Sequence, residues 1–590
     1  MPERDAAPAD GGPQTLQDCL RRAARVGEPA VDGLHWLDRR EAVTHHPWQI
    51  IADRARRAGA ALRAAGVRPG DRVAILLPTH PTFGDALFGV YAAGAVPVPL
   101  YPPVRLGRLD DWVARTAAML RAAGVRGVIA GPRVRRVLGQ VMAEVPTPLG
   151  VLKAETLHRA EPGELAAAAP DDLALVQFSS GTTVAPKAVG LTHRQVLANV
   201  ERILDFMPED APTRHFGVSW LPLYHDMGLI GCVFVALRRA GPLALLPPEA
   251  FLARPALWLR ALSRFRGTVS PAPNFAWALC VERIRDEDLA GCDLSSWRLG
   301  LNGAEPVSPQ TLRQFQDRFT RWGLHPHALC PVYGLSEAAL AVTFSPPDAP
   351  PFIQTFDADA LAAGRAQPAE GGGAELVSVG VPLRDYAVRI CSPEGTALGA
   401  GAVGRLHVSG PSVMRGYLDR EEQPITDGWL DTGDLGFVHE GHLFITGRAK
   451  DVLILRGRNH APQDVERACD GVAGVRTGCS AAVASLDGGR EELLVFVEVR
   501  ERRADQAADC ARAILAATGL TAAQILLLEP GTLPRTSSGK IRRSETLRLH
   551  RAGALQAPAP VHAGRLAAAM ARSTLGYLSA RTQRRGPDGD

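Results

Sequence analysis

The chain has 590 residues and a net charge of +4, with 46% hydrophobic and 22% charged residues, an ordinary globular composition long enough for two or more domains. The charge is small and the arginines are spread along the chain, so no basic face for nucleic acid is implied. Nine cysteines form no CxxC pair or metal spacing, the first residues lack a signal-peptide apolar run, and no stretch of about 18 apolar residues suits a membrane span; together these point to a reducing cytoplasm.

Residues 1–25 read as a disordered N-terminus. From about residue 45, helical and strand patterns alternate. Ile51, Ala55, Ala58 and Leu62 mark a helical stripe ended by Gly66. Arg72 to Pro78 reads as a buried strand, Phe83 to Ala93 as a helix, and Ala95 to Leu100 as an edge strand because of its prolines. Val113 to Ala123 is helical again, and Gly127 to Ala130 is a short strand. Such alternation implies parallel, doubly wound α/β sheets covered by helices, and the pattern recurs to about residue 445. A smaller α/β unit follows over 451–550, with a strand at Glu492 to Val499 and a helix from about 505 to 517.

Lysine is scarce: four residues, against 62 arginines. Lys187, Lys450 and Lys540 sit in the segments 178–189 (FSSGTTVAPKAV), 447–453 (GRAKDVL) and 533–541 (LPRTSSGKI). A compact ammonium suits phosphate chemistry, and a planar guanidinium cannot replace it without changing the geometry. In the first segment Ser179, Ser180, Gly181, Thr182 and Thr183 follow a strand at Leu173 to Phe178. Small hydroxyl residues and a glycine let a loop close around phosphate oxygens, with Lys187 adding a point charge. By itself such a loop is usually a turn.

It is accompanied by others. The segment 331–337 (PVYGLSE) offers Tyr333 to stack on a base, Gly334, Ser336 to bind phosphate, and Glu337 to hold magnesium with phosphate oxygens. The segment 431–436 (DTGDLG) supplies Asp434 as an acceptor for ribose hydroxyls, or is merely a tight turn. What decides between these readings is the order: phosphate loop, YGLSE, TGD, GRxKD, then a late SGK.

That ordered set resembles the adenylate-forming superfamily of acyl-CoA synthetases, adenylation domains and luciferases, over about residues 30–550. Within it, the segments 95–103 (AVPVPLYPP), 220–230 (WLPLYHDMGLI), 273–276 (PNFA), 302–306 (NGAEP) and 456–460 (RGRNH) resemble the fatty acyl-AMP ligases. The resemblance implies an AMP-binding domain over 26–449, a mobile lid domain over 450–552 and a hinge at Lys450. It also implies ATP and Mg2+, attack of a fatty acid carboxylate on the α-phosphorus, and an acyl-adenylate product. Lys540 would bridge carboxylate and α-phosphate, Arg448 would contact ribose or phosphate, and His225 would lie near the carboxylate. Met227, Gly228, Leu229, Ile230, Asn274 and Phe275 would line the acyl tunnel, and Asn302, Gly303, Ala304 and Glu305 would flank the adenine.

The spacer after Glu337 is long, and the resemblance reads residues 346–376 as an insertion. In fatty acyl-AMP ligases it limits lid rotation, so that the acyl group passes to an acyl carrier protein rather than to coenzyme A; an idle surface loop is the alternative. Two positions depart from the pattern, Val184 and Ala188 standing where glycine is usual. A silent binding partner is therefore a rival, besides a long-chain acyl-CoA synthetase. Residues 553–590 read as a linker and a basic tail helix. Leu566, Met570, Ser573 and Tyr577 mark one of its faces, and it carries Arg565, Arg572 and Arg581. Packing on its own enzyme is the default, with an acidic carrier or weak membrane-surface contact as alternatives.

Overall fold

The computed structural model describes residues 12–103, 108–179, 186–207, 214–347, 349–421, 423–455, 458–487, 490–536, 540–558 and 563–584. Its largest sheet has nine strands, running Val381–Pro382, Ala341–Phe344, Leu329–Gly334, Leu299–Gly303, Val269–Pro273, Gly217–Ser219, Pro242–Leu245, Gly33–Leu37 and Val43–Pro47. The inner pairs are parallel and the outer ones antiparallel. A four-stranded parallel sheet, Val96–Pro99, Arg72–Leu76, Gly127–Ala130 and Gly150–Lys153, lies beside it. Val96–Pro99 is indeed at an edge, where its prolines withhold no ladder donor from a second neighbour.

Two expectations need correction. The N-terminal residues are not disordered throughout: Leu16–Val26 is a helix with Thr15 and Asp18 forming a reciprocal cap. Its Leu16, Cys19, Leu20 and Ala23 recur at helical spacing and are buried in the main core, which supplies the stability that a short helix lacks alone. The strand–helix alternation does not continue to residue 445. Beyond Phe344 the chain is mostly antiparallel strands, including a five-stranded sheet built from Ala387–Cys391, Gly404–Ser409, Trp429–His439, Ile425–Thr426 and His442–Arg448.

The region read as an insertion folds as a hairpin, Ile353–Phe356 with Ala374–Val377, enclosing the helix Ala358–Ala362. Phe356 packs edge-on against Phe437 at 4.9 Å and Phe444 at 5.3 Å, pinning the hairpin to the five-stranded sheet. Asp359 reaches Arg458 of the smaller unit at 2.8 Å. The hairpin thus touches both units.

After the short helix Ala449–Asp451 comes the smaller unit, a three-stranded sheet of Val475–Asp487, Arg490–Val499 and Gln524–Leu528 with the helices Pro462–Asp470, Gln506–Thr518 and Arg543–Arg551. The final helix, Ala563–Arg584, returns to the larger unit and packs along Pro132–Glu144. Ser573 Oγ accepts from Gly139 N–H at 2.8 Å, and Tyr577 Oη donates to Arg135 O at 2.9 Å. The expected Ser573–Tyr577 face is the docking face, joined by buried Ala569 and Ala580, while Leu575 and Leu578 point outward. The side chains of Arg565, Leu566 and Arg581 lie outside the described residues. Among the described residues no helix is long and apolar enough to cross a membrane.

The two helices meet through glycines: a Cβ on Gly139 would lie 1.8 Å from Ser573 O, and one on Gly576 would lie 2.2 Å from Gly139 O. Gly139→Ala should therefore loosen the tail helix at a cost of about 1–3 kcal/mol. Faster amide exchange confined to residues 569–580, with no change around Lys540, is the expected signature.

Candidate active site

The predicted phosphate loop joins two antiparallel strands, Leu173–Phe178 and Ala188–Thr192, and Ser179 N–H donates to Lys187 O at 3.3 Å across its base. Ser180, Gly181, Thr182, Thr183 and Val184 lie outside the described residues. Ala188 is a buried strand residue without positive φ, paired with Phe178, so the glycine usual there is not required by the backbone. Lys187 Nζ sits 4.9 Å from the ring centre of Tyr417, whose hydroxyl donates to Glu337 Oε1 at 2.8 Å. Burial and Glu337 together push the Tyr417 phenol upward, keeping it a neutral donor.

At the end of strand Leu329–Gly334, Tyr333 Oη donates to Asp434 Oδ2 at 2.7 Å, and Arg448 Nε donates to Asp434 Oδ1 at 3.0 Å. The chain turns sharply after Tyr333, and Gly334 is required there because a Cβ would lie 1.8 Å from Leu340 O. Burial, then the Asp434 charge, raises the Tyr333 phenol.

Ser336 Oγ donates to Asp226 Oδ2, while His225 Nδ1 lies 2.6 Å from Asp226 Oδ1. The imidazole is thereby oriented through Nδ1, leaving Nε2 for a second partner. Burial would raise the Asp226 carboxyl, but His225, Ser336 and the Met227 N–H outweigh it and hold it down at about 2.

Asn274 and Phe275 begin the helix Asn274–Arg283 and brace the 302–305 segment. Asn274 Oδ1 accepts from Asn302 Nδ2 at 3.3 Å and Ser308 N–H at 3.1 Å, and Glu305 Oε1 accepts from Phe275 N–H at 2.5 Å. Gly303 lies against Val332, where a Cβ would meet Val332 O at 2.9 Å, and Ala304 adopts φ +69°, a strained value that aims Glu305 inward. Met227 and Ile230 are buried in different clusters, and Gly228 has a packing reason of its own: a Cβ would lie 2.4 Å from Pro222 O. A π-helical turn, Leu229–Phe234, follows.

Lys540 comes from the smaller unit. Burial, then Arg448, lowers its ammonium pKa, while Asp226, Glu305 and Asp434 act in the opposite direction. Burial likewise raises Glu305. Both side chains still expose part of their surface, as does Tyr333, so they are desolvated without being covered, which is the condition of groups lining a cleft. Lys450 lies at the boundary helix and is exposed at the surface; its neighbour Asp451 is buried and pairs with Arg543, which also grips Glu466 through two bonds of 2.7 Å.

The structure thus brings Lys187, His225, Asn302, Glu305, Tyr333, Ser336, Glu337, Asp434, Arg448 and Lys540 toward one cleft. Sequence reasoning missed two members. Asp226 stands beside His225 in the 220–230 motif, where a carboxylate next to an imidazole was the available signal. Tyr417 lies outside every motif, and only the fold reveals it. Because the Asp226 carboxyl is held at about 2, below an ordinary aspartate's 3.8, its contribution to stability is complete above about pH 4 and is lost as pH falls through 2. Asp226→Asn should accordingly cost roughly 2 kcal/mol near neutrality. Urea unfolding at stepped pH should show that difference shrinking between pH 4 and 2.

Comparison with known proteins gives the family of the chain. The family described as AMP-binding enzyme matches residues 24–418. The chain is 36% identical over 517 residues to the long-chain-fatty-acid–AMP ligase FadD23 of Mycobacterium tuberculosis, covering 82% of this chain and 87% of the relative. It is also 36% identical over 540 residues to a 4-hydroxyphenylalkanoate adenylyltransferase of Mycobacterium marinum, covering 85% of each chain. A solved structure from a study of fatty acyl-adenylate ligases of E. coli and L. pneumophila superposes with a TM-score of 0.85 at 34% identity, over 92% of this chain and 99% of that one. The chain belongs to the AMP-binding enzyme family.

Proposed function

We propose that this enzyme activates a fatty acid with ATP, forming acyl-adenylate and pyrophosphate, and then delivers the acyl group to the phosphopantetheine thiol of an acyl carrier protein in the cytoplasm. The observation that carries the first half is the convergence of Lys540 from the smaller unit with Arg448, Asp434, Asp226 and Glu305 in one cleft. Relatives and solved neighbours named as fatty acyl-AMP ligases support it.

In the proposed reaction the substrate carboxylate attacks the α-phosphorus in line with departing pyrophosphate. The nucleophile is already charged, so no general base is needed, and alignment with charge neutralisation supplies the rate. Asp434, fixed by Tyr333 and Arg448, accepts from the ribose hydroxyls. The 302–305 segment flanks the adenine. His225, oriented by Asp226, presents Nε2 toward the carboxylate, and Lys540 bridges that carboxylate to the α-phosphate. Lys187 and the phosphate loop hold the outgoing phosphates. Glu337, held through Oε1 by Tyr417, fits a magnesium ion that is bound by one carboxylate plus phosphate oxygens; bound there, the ion would neutralise phosphate charge.

The carrier-protein half rests on the 346–376 hairpin, which is packed on Phe437 and Phe444 and reaches Arg458 of the smaller unit through Asp359. An exposed ion pair is weak by itself, so any limit on lid rotation comes from the bulk of the docked hairpin.

Mass spectrometry of reactions with magnesium-ATP and dodecanoate, divided among no acceptor, coenzyme A and holo-acyl carrier protein, tests both halves. The expected outcome is dodecanoyl-AMP that transfers to the carrier and not to coenzyme A, with Lys540→Ala reducing adenylate formation at least 100-fold, on the order of losing one aligned charge. Abundant dodecanoyl-CoA would make the protein an acyl-CoA synthetase. Adenylate from a 4-hydroxyphenylalkanoate and none from dodecanoate would move the substrate to the aryl class. Removing residues 346–376 should raise transfer to coenzyme A, and an unchanged ratio of acceptors would reduce the hairpin to an idle loop.

A further inference from the structure

Lys540 belongs to the smaller unit, yet the reaction proposed above needs its ammonium in a cleft built by the larger one. Within the smaller unit its loop is anchored from inside. Glu498, fully buried on strand Arg490–Val499, accepts from Arg476 Nη1 at 2.6 Å and from Leu533 N–H at 2.9 Å. Arg542 N–H donates to Pro534 O at 2.9 Å, and Thr536 N–H donates to Lys540 O at 2.8 Å while its Oγ1 accepts from Lys540 N–H at 3.0 Å. These bonds travel with the unit. They set the loop's shape and leave its position over the cleft open.

Three other bonds cross between the units. Arg108, which caps the helix Leu109–Ala122, donates from Nη2 to Gly531 O at 3.1 Å and to Thr532 O at 2.7 Å. Arg115, two turns into that helix, donates from Nη1 to Arg535 O at 3.3 Å. All three acceptors are backbone carbonyls in the stretch that leads to Lys540. We infer that Arg108 and Arg115 are positioning residues for adenylation, a pair of guanidiniums on the larger unit that seats the Lys540 loop over the cleft.

Three features favour this assignment over incidental contact. The bonds occur in the arrangement that brings Lys540 among Asp226, Glu305 and Asp434. A guanidinium fork can engage neighbouring carbonyls together, which fixes direction as well as distance. Other links across the boundary, Arg500–Glu282 and Arg458–Asp359, are exposed ion pairs that fix little. Seating is also opposed: burial, then the Arg115 charge, disfavours the charged form of Arg542, with Glu545 and Tyr101 only partly compensating.

The inference rests on the adenylation reading, and the test separates the two. Initial rates of pyrophosphate release with dodecanoate would be compared for wild type, Arg108→Ala/Arg115→Ala, Lys540→Ala and the triple variant. The double variant should lose about 10- to 100-fold in kcat, the scale of a misplacement near 1 Å, with KM for ATP nearly unchanged. In the Lys540→Ala background the same double change should cost nothing further, because the arginines act through that lysine. The Arg108→Lys/Arg115→Lys variant should recover part of the loss. Unchanged kcat in the double variant, or an equal fold loss with and without Lys540, would overturn the assignment and leave the function standing. A wild-type rate that does not depend on Lys540 would overturn both.

Discussion

The carboxylate of Asp434 is the point on which the cleft turns. It joins a strand of the antiparallel sheet to Tyr333 on a strand of the nine-stranded mixed sheet and to Arg448, the last residue before the boundary helix Ala449–Asp451. Two sheets of different construction and the start of the smaller unit are therefore registered through one side chain, which is 7% exposed. A carboxylate with a phenol and a guanidinium bonded to its two oxygens is costly to disturb, since its loss removes the shared acceptor of two partly buried donors. The same joint that shapes the nucleotide end of the cleft also sets where the smaller unit begins.

Asp226 plays the matching part at the acyl end. It ties His225, on the connection after strand Gly217–Ser219, to Ser336 on the turn after strand Leu329–Gly334. Both carboxylates hold protein partners on each oxygen, and in the proposed reaction Asp434 also accepts from the ribose hydroxyls. The groups that meet the substrates in the proposed reaction are Lys540, Lys187, His225 and Asp434. That division suits a reaction in which the protein contributes alignment and fixed charge. Desolvation serves the same end, since charges in a partly dry cleft act on one another more strongly than they would in water.

Much of this was legible in the chain. The helix Trp48–Ala64 and the strands Gly127–Ala130 and Leu173–Phe178 lie where periodicity places them, because each buries its own apolar pattern against a neighbour. The helix Leu16–Val26 was hidden by its short length and by the polar residues around it, and its partner, the helix Trp48–Ala64, is remote in sequence. The strands after Phe344 carry few continuous apolar runs, so their pairing leaves a weak local trace. The tail face was read correctly at Ser573 and Tyr577, but the contact depends on Gly139, a residue whose meaning is invisible until the two helices touch.

The sequence by itself determined which chemical groups are available: the ordered motifs name the lysines, the carboxylates and the glycines, because those residue types at those spacings serve phosphate chemistry and few other ends. Tertiary structure alone decided how they pair. That Tyr417 holds Glu337, that Asp226 meets Ser336, and that Arg108 and Arg115 meet the loop of Lys540 are facts about atoms tens to hundreds of residues apart. Hydrogen bonds depend on distances of a fraction of an ångström, and such distances are set by the packing of whole sheets and helices, which no local pattern encodes.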